Sequence, residues 1–149
     1  MGLFGSLDIS ASALSAERLR MDVTAENLAN AQSTRTSNGG PYRRKEVVLQ
    51  ERAGSFGASL SAAMNSSRPP GAQGGGVEVA GIAEDQTPLK RVYDPGHPDA
   101  DADGYVAMPN VDTVTEMVDL IGAQRAYEAN VTAMQAAKQM FTRTLDLLR

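Results

Sequence analysis

A chain of 149 residues and 15.7 kDa has room for one ordinary domain, or for a modest one with long helical extensions, but hardly for two independent cores. Its 14 basic and 18 acidic residues leave a net charge of −4, which argues against the positive footprint of a nucleic-acid binder, and the lack of cysteine removes disulfides, cysteine-zinc sites and thiol nucleophiles. With no tryptophan, one histidine and 5% aromatics, the usual parts of most enzymes are missing, while abundant alanine and 14 glycines suit close helix packing and loops.

The longest unbroken apolar run, Tyr105 to Met108, is far too short to span a bilayer. No hydrophobic signal segment stands near Met1, so a soluble chain without a Sec-type address is expected. The opening Gly2 to Ser6 fits the myristoylation pattern loosely, but no polybasic segment supplies a second anchor, and an ordinary helix lead-in is expected.

Residues 6–30 place Leu7, Leu14, Met21 and Leu28 at a strict heptad spacing, with Ala11 and Ala25 on the half-steps. This predicts a helix with a narrow apolar seam, interrupted by Arg18 and flanked near its end by Asn27 and Asn30. Ser33 to Pro41 collects Ser, Thr, Asn, Gly and Pro and ends that helix. The basic triplet Arg43-Arg44-Lys45 lacks interleaved aromatics, so a solvated strand start or a salt-bridging edge is expected there. Val47-Val48-Leu49 follows as the centre of a short strand over 46–51.

Between residues 53 and 76, Gly, Ser and Pro supply thirteen of twenty-four positions, too little apolar surface to offset the cost of ordering. A flexible, variable loop is expected, with room for one helical turn near Ser59 to Met64; Gly74 to Gly76 lacks the Lys-Ser/Thr ending of a phosphate loop and reads as linker. From Val77 onward Val77, Val79 and Ile82, then Leu89, Val92 and Tyr93, then Tyr105 and Val106 predict a small sheet of three or four short strands leaning on the helices or on a neighbour.

The last element is the clearest. Thr113-Val114-Thr115-Glu116 has the form of a capping box, and only Gly122 interrupts the helical pattern to Arg149. Leu120, Tyr127, Met134, Phe141 and Leu148 recur every seven residues, while Met117, Val131 and Leu145 read as the alternate seam, broken by Gln124 and Lys138. Burying one large seam residue gains about 1.5–3 kcal/mol, while fixing one residue's backbone costs about 1–2 kcal/mol, so a helix this long needs a partner surface. The N-terminal helix is the first partner, but it is shorter. The excess points to other chains, and Ala123, Ala126, Ala129, Ala133, Ala136 and Ala137 let other helices approach closely.

The acidic run Asp99-Ala100-Asp101-Ala102-Asp103-Gly104 resembles the start of an EF-hand calcium loop. Asn110 stands where a bidentate Glu is needed, and Pro95, Gly96 and Pro98 prevent the entering helix, so a structural turn is the better reading. His97 beside it has no matched partner for catalysis or metal binding and reads as a loop residue.

Ala25-Glu26-Asn27-Leu28-Ala29-Asn30-Ala31 resembles the signature of the bacterial flagellar rod and hook axial proteins. Pro41 to Lys45, Tyr93 to Val106, Met108-Pro109-Asn110-Val111, Glu116-Met117-Val118 and Arg125 to Val131 are similar to the family's proximal-rod members. The resemblance covers both ends and most of the middle, sparing residues 53–76. It implies an α+β fold in which long N- and C-terminal helices pack as a coiled-coil-like hairpin around a small β-rich middle with a flexible Gly/Ser/Pro-rich loop. The expected divisions are an N-terminal axial helix over 1–32, a middle region over 33–112 and a C-terminal axial helix over 113–149.

The implied function is structural: helical assembly through the terminal helices into the proximal part of a drive shaft that transmits torque and encloses the export channel. No catalytic, cofactor or metal residues are carried over. The expected interface residues are Leu14, Met21, Asn27, Leu28 and Asn30 with Leu120, Tyr127, Met134 and Phe141. Expected partners are other copies of the chain, neighbouring rod proteins, the membrane-ring base and the flagellar type III export apparatus, with no nucleic acid and no small-molecule substrate. The expected location is the periplasmic rod of the basal body, reached without a cleavable signal. Two other readings stand beside this one: a soluble coiled-coil adaptor unrelated to flagella, and a calcium module built on Asp99 to Asp103.

Overall fold

The computed structural model describes residues 3–37, 39–52 and 75–147. Helix α1 (Leu3–Ala29) is followed by strands β1 (Lys45–Glu51), β2 (Val77–Glu84), β3 (Lys90–Tyr93) and β4 (Tyr105–Met108), and helix α2 (Thr113–Leu147) closes the chain. This is the expected α+β arrangement of two long helices about a small β-rich middle. The loop expected over 53–76 lies outside the described residues apart from Gly75 and Gly76.

The strands form two separate two-stranded ribbons, β1 with β2 and β3 with β4, instead of the single sheet expected from the sequence. The reason is local. Each ribbon closes its own hydrogen bonds: Asp85 N donates to Arg44 O at 2.8 Å and Arg52 N to Gly76 O at 2.9 Å at the two ends of the first ribbon. In the second, Lys90 pairs antiparallel with Met108 and Tyr93 with Tyr105. The two tyrosine rings meet edge to face at 5.3 Å, and the Arg91 guanidinium lies 5.1 Å from the Tyr105 ring centre.

The chain divides into two compact units. One joins the start of α1 (3–18), residues 49–52 and 75–80, and the later part of α2 (124–147); the other joins the end of α1 and start of β1 (19–48) with residues 81–123. The end of α1 thus shares a unit with the start of α2, and the start of α1 with the end of α2.

The second unit holds most of the buried side chains among the described residues: Val23, Thr24, Tyr42, Val106, Pro109, Val111 and Ala123 with Asn27 and Glu116. In the first, the buried positions are small: Ser12, Ala16 and Ala137. Ser12 nevertheless makes a specific junction. Its hydroxyl donates to Ile9 O at 2.7 Å and accepts from Val77 N at 3.1 Å, holding the first residue of β2 to helix α1. Gly76 takes φ +98° there, and a Cβ on it would lie 2.3 Å from Ser12 Oγ. Gly76→Ala is therefore expected to destabilise the protein by about 2 kcal/mol, from left-handed strain and a broken junction. Urea unfolding measures it, and a change below about 0.5 kcal/mol would show that the junction carries no weight.

Helix α2 starts differently from the capping box read in the sequence. Its cap is Asp112, whose carboxylate accepts from the Thr115 hydroxyl at 2.8 Å while its carbonyl accepts from Glu116 N at 2.9 Å. The Thr115 hydroxyl bond, helped by the Val114 and Thr115 amides and by Lys90, holds the Asp112 carboxyl below its usual range. Glu116, the supposed return partner of the box, is turned inward and is 1% exposed.

The helix seams also shift by one residue. The deeply buried line on α2 runs through Glu116, Ala123 and Ala137, with Leu120, Tyr127, Asn130 and Met134 half-buried beside it. Of the expected alternate seam, Met117 and Leu145 are 51% and 52% exposed, while Val131 is half-buried. Alanines permit closer helix approach than methionine or leucine, and a paired glutamate tolerates burial, so the inner line follows size and pairing instead of hydrophobicity. On α1 the buried line is Ser12, Ala16, Val23 and Asn27, while Leu7, Leu14, Met21 and Leu28 stand half-buried along one side.

Candidate functional site

Within the second unit four of the family-like blocks, 25–31, 41–45, 108–111 and 116–118, meet at one buried polar junction. Asn27, near the end of α1, is 1% exposed and satisfies its full hydrogen-bonding capacity. Its Nδ2 donates to Lys45 O at 2.8 Å and to Glu116 Oε2 at 3.0 Å. Its Oδ1 accepts from Tyr42 OH and from Lys45 N, each at 2.9 Å. One amide side chain therefore ties α1 to the start of β1 and to the first turns of α2.

Glu116 completes the junction by spending its other oxygen on Arg44, whose Nε donates to Oε1 at 2.6 Å. Arg44 also reaches Asp119 Oδ2 at 3.4 Å and Glu46 at 3.8 Å. The bond to Glu116 is the main cause that raises the guanidinium's pKa above its ordinary value, burial working against it. A carboxylate this deeply buried is tolerable only because both oxygens are engaged, one of them by a full charge.

Around this pair the neighbouring residues are equally committed. The Lys45 ammonium pairs with Glu26 at 2.6 Å and lies 5.6 Å from the Tyr42 ring centre. Asn110 accepts from Arg44 N at 2.8 Å and donates to Asp85 O at 3.2 Å and to the Thr87 hydroxyl at 2.8 Å. It stands where the EF-hand pattern wants a carboxylate, and it works instead as a stitch between the two ribbons' flanking segments.

Tyr42 is buried, and its phenol pKa is pushed up to about 12, first by burial and then by the negative charges of Glu26, Glu116 and Glu84. The neutral phenol is thus favoured in the folded chain. Its contribution is complete below the ordinary value of 10.0 and is lost as pH rises from there towards about 12. Stability should fall by about 2 kcal/mol across that window. Urea unfolding at stepped alkaline pH tests this, with Tyr42→Phe expected to flatten the fall and an equal fall in both proteins counting against it.

The acidic loop is organised by internal partners. Asp99 accepts from the Thr34 hydroxyl at 2.9 Å and pairs with Arg35. The Thr34 bond, with the charge of Arg35, holds the Asp99 carboxyl below its usual range. Asp101 lies 3.6 Å from Arg91, and Gly104 N donates to Asp101 O at 2.8 Å in a turn where Gly104 adopts φ +78°. His97 Nδ1 accepts from the Asp99 amide at 3.1 Å, a local turn bond. Among the described residues no group of three or more His, Cys, Asp or Glu is placed to hold a metal ion.

Of the nine residues expected at an interface, Asn27 lies at the centre of the junction. Asn30 closes the end of α1, with Nδ2 donating to Glu26 O at 2.9 Å and Oδ1 accepting from the Ser33 hydroxyl at 3.1 Å. Leu14, Met21, Leu28, Leu120, Tyr127 and Met134 are half-buried. Phe141 is 37% exposed. Sequence pattern alone does not single out Tyr42, Arg44, Asn110 and Glu116 as one cluster. The available signal is an unmatched basic residue before a strand and an acidic one in the first turn of a helix, each flanked by the strongest motifs of the chain.

Two long helices, a short β-rich middle and a buried polar junction make a scaffold of packed elements. Residues 7–35 match the family model described as flagella basal body rod protein, and residues 102–147 match that of the flagellar basal body rod FlgEFG protein C-terminal region. The chain is 51% identical to the flagellar basal-body rod protein FlgC of Bacillus subtilis (strain 168), over 99% of both chains. It is 43% identical to that of Borreliella burgdorferi, over 100% of this chain and 99% of the relative, and 47% identical to that of Escherichia coli O157:H7, over 99% and 98%. The chain belongs to the FlgC family of flagellar basal-body rod proteins.

Proposed function

We propose that this chain is a load-bearing subunit of the proximal rod, joined helically to other copies of itself and to neighbouring rod proteins through its two terminal helices. The observation that carries this reading is apolar surface left in water along α2: Val114, Met117, Val118 and Ile121 near its start are 51–67% exposed, and Met140, Phe141 and Leu145 near its end are 37–53% exposed. A single subunit does not cover these side chains, and exposed apolar patches of this kind mark surfaces that other chains cover.

In this reading the divisions are the axial helix over 1–32, the middle over 33–112 and the axial helix over 113–149. The half-buried leucines and methionines, Leu14, Met21, Leu28, Leu120 and Met134, with Tyr127 and Phe141, are shared between the hairpin and adjoining subunits, while Asn27 and Asn30 fix the helix end from which they project. The rod lies in the periplasm, where the subunits transmit torque and surround the export channel. The subunit reaches it through the flagellar type III apparatus and meets the membrane-ring base below. Its mechanism resides in packing, with no catalysis, nucleic acid or small-molecule substrate.

Deletion of the gene tests this. Cells should lose motility and a complete rod, and a plasmid copy should restore both. Motile cells with intact rods after deletion would refute it.

A further inference from the structure

The first turns of α2 carry two opposed faces. Glu116 is 1% exposed and Asp119 and Leu120 are half-buried, whereas Val114, Met117, Val118 and Ile121 are 67%, 51%, 63% and 51% exposed. At about 100° per residue the four apolar side chains centre almost opposite Glu116. By hydrophobicity alone the helix is set the wrong way round: a half-turn about its axis would bury the apolar stripe and return a carboxylate to water.

We propose that the Asn27–Glu116–Arg44 junction is a rotational lock that fixes the setting of these turns and holds the apolar stripe outward. A half-turn would break the Asn27 bond to Glu116 at 3.0 Å, the Arg44 bond to Glu116 at 2.6 Å and the Arg44 contact with Asp119 at 3.4 Å together. It would leave Asn27 with only the Lys45 carbonyl for its Nδ2 and Arg44 with only Glu46 at 3.8 Å, and it would place no polar group from the stripe within reach of them. The locked segment ends at Gly122, a weak point in any helix, around whose Cβ position nothing lies within 4 Å. The charged groups facing Glu116 and Arg44 are therefore devoted to orientation, and the display of the stripe is a built property of the fold.

Because the chain has no cysteine, single thiols report the setting directly. Val118→Cys and Leu120→Cys lie on opposite faces, and the thiol at position 118 should be labelled about tenfold faster than the thiol at position 120 when the lock is intact. With Glu116→Ala added to each, the ratio should fall to about one or invert while far-ultraviolet circular dichroism keeps its helix content. Arg44→Lys, which keeps the charge but loses the guanidinium fork, should shift the ratio in the same direction. A ratio unchanged in a variant that retains its helix would overturn the lock. So would loss of helix content in both variants, since rotation and not unfolding is the expected response.

Discussion

Replacing Arg44 with methionine should lower the unfolding free energy by about 3–5 kcal/mol. The change leaves the Glu116 carboxylate, 1% exposed, with only the Asn27 amide to compensate its charge. Against a total of about 5–15 kcal/mol for a domain of ordinary size, that is a large fraction. A further Glu116→Leu in the same chain should recover most of the loss, because apolar residues can replace a buried ion pair at little cost once both charges are gone. Urea unfolding of the four proteins of this cycle measures both values. A loss below about 1 kcal/mol for Arg44→Met would show that the pair is solvated and contributes as a surface bridge does.

The second large effect separates stability from assembly. Phe141→Asp changes a side chain that is 37% exposed near the end of α2, so the monomer should lose about 1–2 kcal/mol, the part of the ring's burial that the chain itself supplies, and stay folded. Motility in a complemented deletion strain should nevertheless be lost, because a carboxylate placed in an interface between helices is desolvated without a partner. Leu120→Asp should lose motility as well. A deletion within residues 57–75 should be milder than either. Equal severity of the loop deletion and the helix substitutions would contradict the assignment of assembly to the helices.

Much of this organisation is legible in the residues. The heptad runs from Leu7 to Leu28 and from Leu120 to Phe141 mark the two helices, and the Pro and Gly clusters mark their ends. What pattern reading misses has a physical cause. Periodic hydrophobicity favours Met117 and Leu145 as a buried seam over Glu116, Ala123 and Ala137, since it counts a glutamate as surface and an alanine as weak. In the folded chain a methyl side chain admits a neighbouring backbone, and a carboxylate with both oxygens bonded is a stable interior group. The start of α2 shows the same limit: Thr113 to Glu116 has the letters of a capping box, but Arg44 and Asn27 lie far away in sequence and draw Glu116 inward, leaving Asp112 to cap.

The two ribbons are half legible. Apolar alternation locates the strands but not their partners, because strands of four to eight residues carry too little pattern to choose a register. The choice is made by groups outside the strands: Asn110 ties the backbone of Arg44 to that of Asp85, and Ser12 receives the amide of Val77.

That α2 presents its apolar stripe to neighbouring chains of the rod is tested most directly by cross-linking within assembled basal bodies. A lone cysteine at position 118, in a chain that otherwise has none, should form cross-links between chains in rods isolated from motile cells, while a cysteine at the buried position 123 should form few. Rods that contain the chain but yield no cross-link from position 118, or rods from which the chain is absent, would contradict the account.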